Sequence, residues 1–511
     1  MFKKVLVLLL ALVLGMGSLT GCGSSGGGSS NGTPNPGNGS GEPRSDLVVI
    51  LPNDFTTLDP QKLPSTAEIN FCANIFDTLV TVDDNYQIQP GLAESWEPSE
   101  DGLSYTFKLR EGVKFHNNEE LKASDVVYTV NRFISEEWMM FCSFMIDSAE
   151  ALDDYTVKVN LKYPYASFLS ELDYMFVVNE KYMEEAGEAA SQSPVGTGAY
   201  KFVKWDIAQQ LVLEANEDYF RGAPSIKDLT FKIIPDSNTA FVVLETGAAD
   251  LSFNISALDF SQAQSNAKFS TDRCVSNSSF FANFNTEKVS KEVRQALCYA
   301  IDKEAVNILV NEGTGIVADL PLFEGQEGYT TDLQTYPYDV EKAKQVLADA
   351  GIDPATLSLD FFYGESTANS KLGQTLQSMF SEIGVSIELR PVETGTWWQM
   401  FGEGDYTISR GGYPMESANT DAPYYDMYHK DGTFNVSRIN DAQINAWLEE
   451  ARTEPDAAKR SDIYVKVAQR VADEAYCYPL YFNSSTIVYD ANLKGVKAIP
   501  NQRYIYSDFS W

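Results

Sequence analysis

The chain has 511 residues, with 72 Asp and Glu against 38 Lys and Arg, and its formal net charge of −34 disfavours nucleic acid and anionic lipid surfaces as partners. Two histidines, His116 and His429, exclude a His-rich metal site by counting. The apolar share is 44%, and residues 46–511 are more than one core serves, so two or three lobes are expected.

The chain opens with Lys3 and Lys4 and an unbroken apolar run over 5–14, the order of a secretory signal and too short to span a bilayer. Leu19-Thr20-Gly21-Cys22 follows. It is similar to the lipobox of bacterial lipoproteins, which implies that 1–21 are a leader, that Cys22 carries lipid, and that the chain is anchored to the outer face of the cell membrane. Residues 23–45 are almost wholly Gly, Ser, Asn and Pro, a composition that cannot bury enough apolar surface to offset chain entropy. Segment 22–45 is therefore predicted to be a disordered tether reaching about 25 Å.

Alternation of apolar residues predicts strands over 47–50, 105–109, 155–161, 211–213 and 357–362. Helical spacing follows. Val293, Ala296, Leu297, Ala300 and Ile301 form one face; Asp302 caps a helix carrying Ala305, Val306 and Leu309; and Asp339 caps another that stops at Gly351. Ile444, Trp447, Leu448 and Ala451 form a later face, and Tyr464, Val467, Ala468 and Val471 the next. Strands mixed with helices throughout indicate α/β lobes. Cys72, Cys142, Cys274, Cys298 and Cys477 are scattered and odd in number, so they read as free thiols with at most one disulfide.

Within 46–511 no GxSxG, HExxH, phosphate loop or Cys/His pairing is present. His116-Asn117-Asn118-Glu119 reads as a surface turn after Phe115, and Gly196-Thr197-Gly198 as a tight turn before a strand. A binding protein is expected, not an enzyme. Abundant carboxylates leave a glycoside or peptide hydrolase open as the lesser reading.

Thr56-Thr57-Leu58-Asp59-Pro60, Ile75-Phe76-Asp77-Thr78-Leu79, Pro90-Gly91-Leu92-Ala93-Glu94-Ser95-Trp96 and Tyr105-Thr106-Phe107-Lys108-Leu109-Arg110 occur in that order. Gly196-Thr197-Gly198-Ala199-Tyr200, Val293-Arg294-Gln295-Ala296-Leu297, Glu341-Lys342-Ala343-Lys344 and Tyr478-Pro479-Leu480-Tyr481 continue the series. Together they resemble the oligopeptide/dipeptide-binding receptors of ABC importers, extracellular solute-binding protein family 5. The resemblance implies an α/β, periplasmic-binding-protein-like two-lobed clamp (type II, cluster C). Lobe I would hold 46–76, 195–275 and 486–511, an inserted subdomain 77–194, and lobe II 276–485, with two crossover strands as hinge. It also implies a monomer without cofactor. Its partners would be a small-molecule or peptide ligand and the transmembrane subunits of an ABC permease, with membrane contact through lipid only.

Segment 405–416 matches the stretch that lines the cleft in such receptors. By this resemblance Glu416 takes a ligand's α-ammonium, with Asp421 in reserve, and Arg410 answers its carboxylate. Tyr413 and one of Trp397 or Trp398 are aromatic walls, while Ser65 and Thr66 match a short strand whose backbone pairs with bound peptide. Two departures matter. Pro414 has no N–H where relatives use one, and Glu416 reaches one methylene further than the usual aspartate. Ser370 and Phe401 stand where others place basic groups. An oligosaccharide, nickel chelate or opine-like solute is therefore the alternative ligand.

Overall fold

The computed structural model describes residues 44–62, 66–83, 87–136, 140–414 and 419–511; the leader, Cys22 and nearly all of the tether lie outside them. Among the described residues, one sheet of eleven strands runs through the body. Its centre is a pair of long antiparallel strands, Phe269–Phe284 and Cys477–Asp490. On one side of the pair come Leu251–Ser252, Asp46–Leu51, Asp228–Ile233, Gln210–Ala215 and Tyr200–Asp206; on the other come Ile408–Pro414, Leu359–Gly364 and Ile387–Val392, and the eleventh, Ile316–Val317, pairs with Cys477–Asp490 off this path. The pairing slips between Val275 and Ser279, and there Asn277 N–H donates to the Pro500 carbonyl (3.0 Å) instead of to the neighbouring strand. Such a slip is where a ladder bends most easily.

The apolar residues sort to either side of this bend, giving a two-lobed clamp. Leu47, Val49, Phe107, Phe231 and Tyr506 belong to one core. On the other side the strand period of two separates Phe281 from Ala282 and Phe284, and a register slip opposite Phe280 and Phe281 divides Leu480 from Phe482. Ala282, Phe284 and Leu480 pack with Leu297 and Phe361, while Phe281 and Phe482 pack with Tyr424, Leu448 and Val467. A separate antiparallel sheet of Ala93–Pro98, Ser104–Leu109, Thr156–Leu161 and Ile146–Asp153 builds onto the first core, covered by the helix Ala123–Ser135.

Local signals were mostly followed. Asp302 Oδ1 accepts from Ala305 N–H (3.0 Å) at the start of Lys303–Asn311, and Asp339 Oδ1 from Lys342 N–H (2.8 Å) at the start of Val340–Asp349. Gly351 takes φ +67°. Of the apolar residues on that helix, Leu309 is 55% exposed, because Val306 and Val310 are the ones that bury. The Gly196-Thr197-Gly198 turn is a packing device, since a Cβ on Gly196 would lie 2.0 Å from the Ile75 carbonyl oxygen. His116 is not a surface residue: its Nδ1 accepts from Gly196 N–H (3.3 Å) and its Nε2 donates to the Gly198 carbonyl (3.0 Å). Burial holds its pKa down to about 4, so it stays neutral and fastens that turn. All five described cysteines are free thiols.

Candidate functional site

In open α/β sheets, ligands sit beyond the carboxyl ends of parallel strands. Here Leu359–Gly364 runs parallel to Ile408–Pro414, and their carboxyl ends open on a cavity of about 530 Å³. Gly364, Glu365, Ser366 and Asn369 line it from one strand end and the helix Thr367–Glu382 that follows; Arg410, Gly411, Gly412 and Tyr413 line it from the other. Phe281, Met427, Tyr428, Phe434 and Val436 supply apolar wall, and Asn283, Ser437 and Cys477 complete the floor.

Arg410 is the distinctive group. Its guanidinium lies 4.4 Å from the ring centre of Phe280, its Nε has no hydrogen-bond partner, and no carboxylate among the described residues pairs with it. Burial pulls its pKa below the ordinary value. Gly411 instead makes room for Asn283, because a Cβ there would sit 2.1 Å from Asn283 Nδ2. The helix Thr367–Glu382 presents its N-terminus, capped by Ser366 Oγ accepting from Asn369 N–H (3.1 Å), to the same cavity. Cation and helix dipole together favour a negatively charged ligand group.

Tyr413 donates its hydroxyl to Asp426 Oδ2 (2.9 Å), and its ring meets Phe434 edge-on at 5.3 Å. Trp397 lines the cavity within an aromatic stack, 6.2 Å from Phe362 with planes 4° apart and 5.4 Å from Phe401. Trp398 belongs to the same helix, Thr394–Glu403, and its side chain lies outside the described residues, as do Ser65 and Glu416. Pro414 closes its strand opposite Ser278. Thr66 does not enter a strand: it starts the helix Thr66–Ile75, which forms because Phe71, Cys72 and Ile75 bury on one face. Asp421 lies outside the cavity lining, 1% exposed, with its Oδ2 held by Arg452 Nη2 (3.0 Å) and Nε (3.1 Å). Its charge is already answered within the protein.

Glu365, Ser366, Asn369 and Asn283 were not singled out from the sequence. The available signal was Gly364-Glu365-Ser366, a strand end running into a capped helix. Among the described residues, no group of His, Cys, Asp and Glu is placed to hold a metal ion, and no helix is long and apolar enough to cross a membrane.

Heme-binding protein A of Haemophilus influenzae is 30% identical to this chain over 450 residues, covering 81% of this chain and 82% of that protein. The oligopeptide-binding protein AppA of Bacillus subtilis is 29% identical over 472 residues, 86% of each. The solved structure of HbpA2 from Haemophilus parasuis superposes with a TM-score of 0.84 at 25% identity, covering 91% of this chain and 99% of that one. Residues 87–435 match the middle region of the bacterial extracellular solute-binding proteins, family 5, and the chain belongs to that family.

Proposed function

We propose that this protein is a receptor that captures peptides between two lobes and delivers them, chemically unchanged, to the transmembrane subunits of an ABC importer. The observation that carries the reading is Arg410, which no carboxylate among the described residues pairs with, in a cavity of about 530 Å³, a volume suited to a small ligand. The relative named for oligopeptide binding, alike over 86% of both chains, supports a peptide as that ligand. In this reading Arg410 takes the peptide's carboxylate, Tyr413 and Trp397 flank its side chains, and Glu416 takes its ammonium. The lobes are 46–76 with 195–275 and 486–511, and 276–485; residues 77–194 form the insert, and the slip at 275–279 is the hinge. The mature chain starts at a lipidated Cys22, works as a monomer, needs no cofactor, and touches the membrane through its lipid.

Calorimetry with a mixed dipeptide library tests the reading. Wild type should release heat, and Arg410→Gln should bind about 10- to 100-fold more weakly, the worth of one charge-assisted hydrogen bond. Amidated peptides should lose affinity for wild type but not for the variant. Absence of heat with any peptide would sink the peptide reading. The relative named for heme binding favours a non-peptide solute as the second reading, and mass spectrometry of co-purified ligand separates the two.

A further inference from the structure

Away from the cavity, residues 144–171 meet the chain at 419–452 in a small polar contact. Ala166 N–H donates to the Arg452 carbonyl (3.1 Å). The Arg452 guanidinium lies 3.6 Å from the Tyr425 ring centre and also faces the rings of Phe144 and Tyr165. At the middle, Asn419 Nδ2 donates to Tyr165 Oη (2.9 Å) and to Glu171 Oε1. Asn419 Oδ1 accepts from Asp421 N–H (2.7 Å), which fixes the amide so that its NH₂ must face Glu171.

Glu171 is 2% exposed, and no cation pairs with it among the described residues. Tyr165 stands beside it on its own segment, and Cys142 on the helix Met140–Ser143. Asp421 and Asp426 face it from the helix Asp421–Tyr428. Arg452 is committed to Asp421, as is the Tyr464 hydroxyl (3.5 Å), and Arg460 beyond them is paired with Glu327. Of these two buried carboxyl groups, Asp421 takes the one guanidinium and Glu171 is held by a neutral amide. A carboxylate in that position escapes its desolvation penalty by taking a proton.

We propose that Glu171 and Asn419 form a proton-operated latch across the clamp. With the faces together Glu171 is the neutral acid, and separating them exposes and ionises it, so closing takes up one proton. This rests on the lobes parting as described under the proposed function. In the joined state burial and the neighbouring Asp421 outweigh the Asn419 bond and push the Glu171 carboxyl up to about 8, against an ordinary 4.5. A group raised in the closed state favours closure fully below 4.5, and that contribution is lost as pH rises through about 8. Within the window the closing constant falls by up to about tenfold per pH unit.

Spin labels at Leu152→Cys and Ile308→Cys, both exposed and on opposite sides of the contact, report the separation in the full chain by double electron–electron resonance. Between about pH 5 and about pH 9 the short-distance population should fall in wild type. In Glu171→Gln it should stay at the acid value throughout. A flat wild-type profile, or a Glu171→Gln profile that still follows wild type, overturns the latch. Should that variant not fold, Asn419→Ala serves: it should lose short-distance population at acid pH, and an unchanged population overturns the latch. Adding the mixed dipeptide library distinguishes the two failures. Distances that respond to peptide but not to pH defeat only the latch, whereas distances that never respond to peptide defeat the receptor reading.

Discussion

Arg410 and Arg452 both stack on aromatic rings on the same side of the bend, yet their electrostatic settings are opposite. Arg452 is tied to the buried Asp421 through two nitrogens, so its charge is spent on holding the fold together. Arg410 faces a cavity with its Nε unsatisfied, and no carboxylate among the described residues answers its charge. A chain normally neutralises charges as it buries them, so a cation with no carboxylate partner among the described residues, at the carboxyl ends of parallel strands, fits the proposed role of holding a ligand's carboxylate.

The comparison breaks most sharply at Arg452. Arg452→Met should cost about 3–5 kcal/mol in urea unfolding, because it strands the buried Asp421 carboxylate; Arg452→Met with Asp421→Asn should recover most of the loss. His116 supplies the next effect and the opposite pH sense to Glu171. Its pKa is held at about 4 against an ordinary 6.5, so its stabilisation is full above 6.5 and is lost as pH falls towards 4. Wild type should lose up to about 3 kcal/mol over that interval from this group, and His116→Gln should flatten the dependence in denaturant titrations. Arg410→Gln should leave unfolding within about 1 kcal/mol of wild type while weakening ligand binding; a large stability loss would show that Arg410 is structural after all. Smallest of all, Lys344→Ala removes an exposed pair with Glu341 (2.9 Å) and should shift stability by less than about 1 kcal/mol.

Much of the fold is readable in short windows. The helix Lys291–Ala300 buries Val293, Ala296, Leu297 and Ala300 at their expected spacing, and its N-cap Ser290 Oγ accepts from Val293 N–H. The Asp302 and Asp339 caps act over three residues, so neighbours alone specify them. Leu309 could not be placed that way, since Leu309 and Val310 are both apolar and only packing against the sheet decides which turns inward. Thr66 shows the same limit: the register of apolar residues in 66–75 suits a helix, and the helix is what buries Phe71.

The site divides in a similar way. Family motifs spread along the chain pointed to the segment bearing Arg410 and Tyr413, and the cavity includes both together with Trp397. That Glu365, Ser366 and Asn369 share the cavity was not legible, because residues more than forty positions from Arg410 converge only through the parallel pairing of two strands.

The sequence alone determined the α/β character and the helix caps, because these depend on periodicity and on hydrogen bonds between residues a few positions apart, while its resemblance to a family pointed to the segment carrying the cavity's arginine. Tertiary structure decided which charges are answered. Glu171 meets Asn419 across 248 positions and Arg452 meets Asp421 across 31, and which of two buried carboxyl groups receives the one guanidinium follows from how the lobes pack. Pairing of that kind depends on distance in space, which local pattern does not carry.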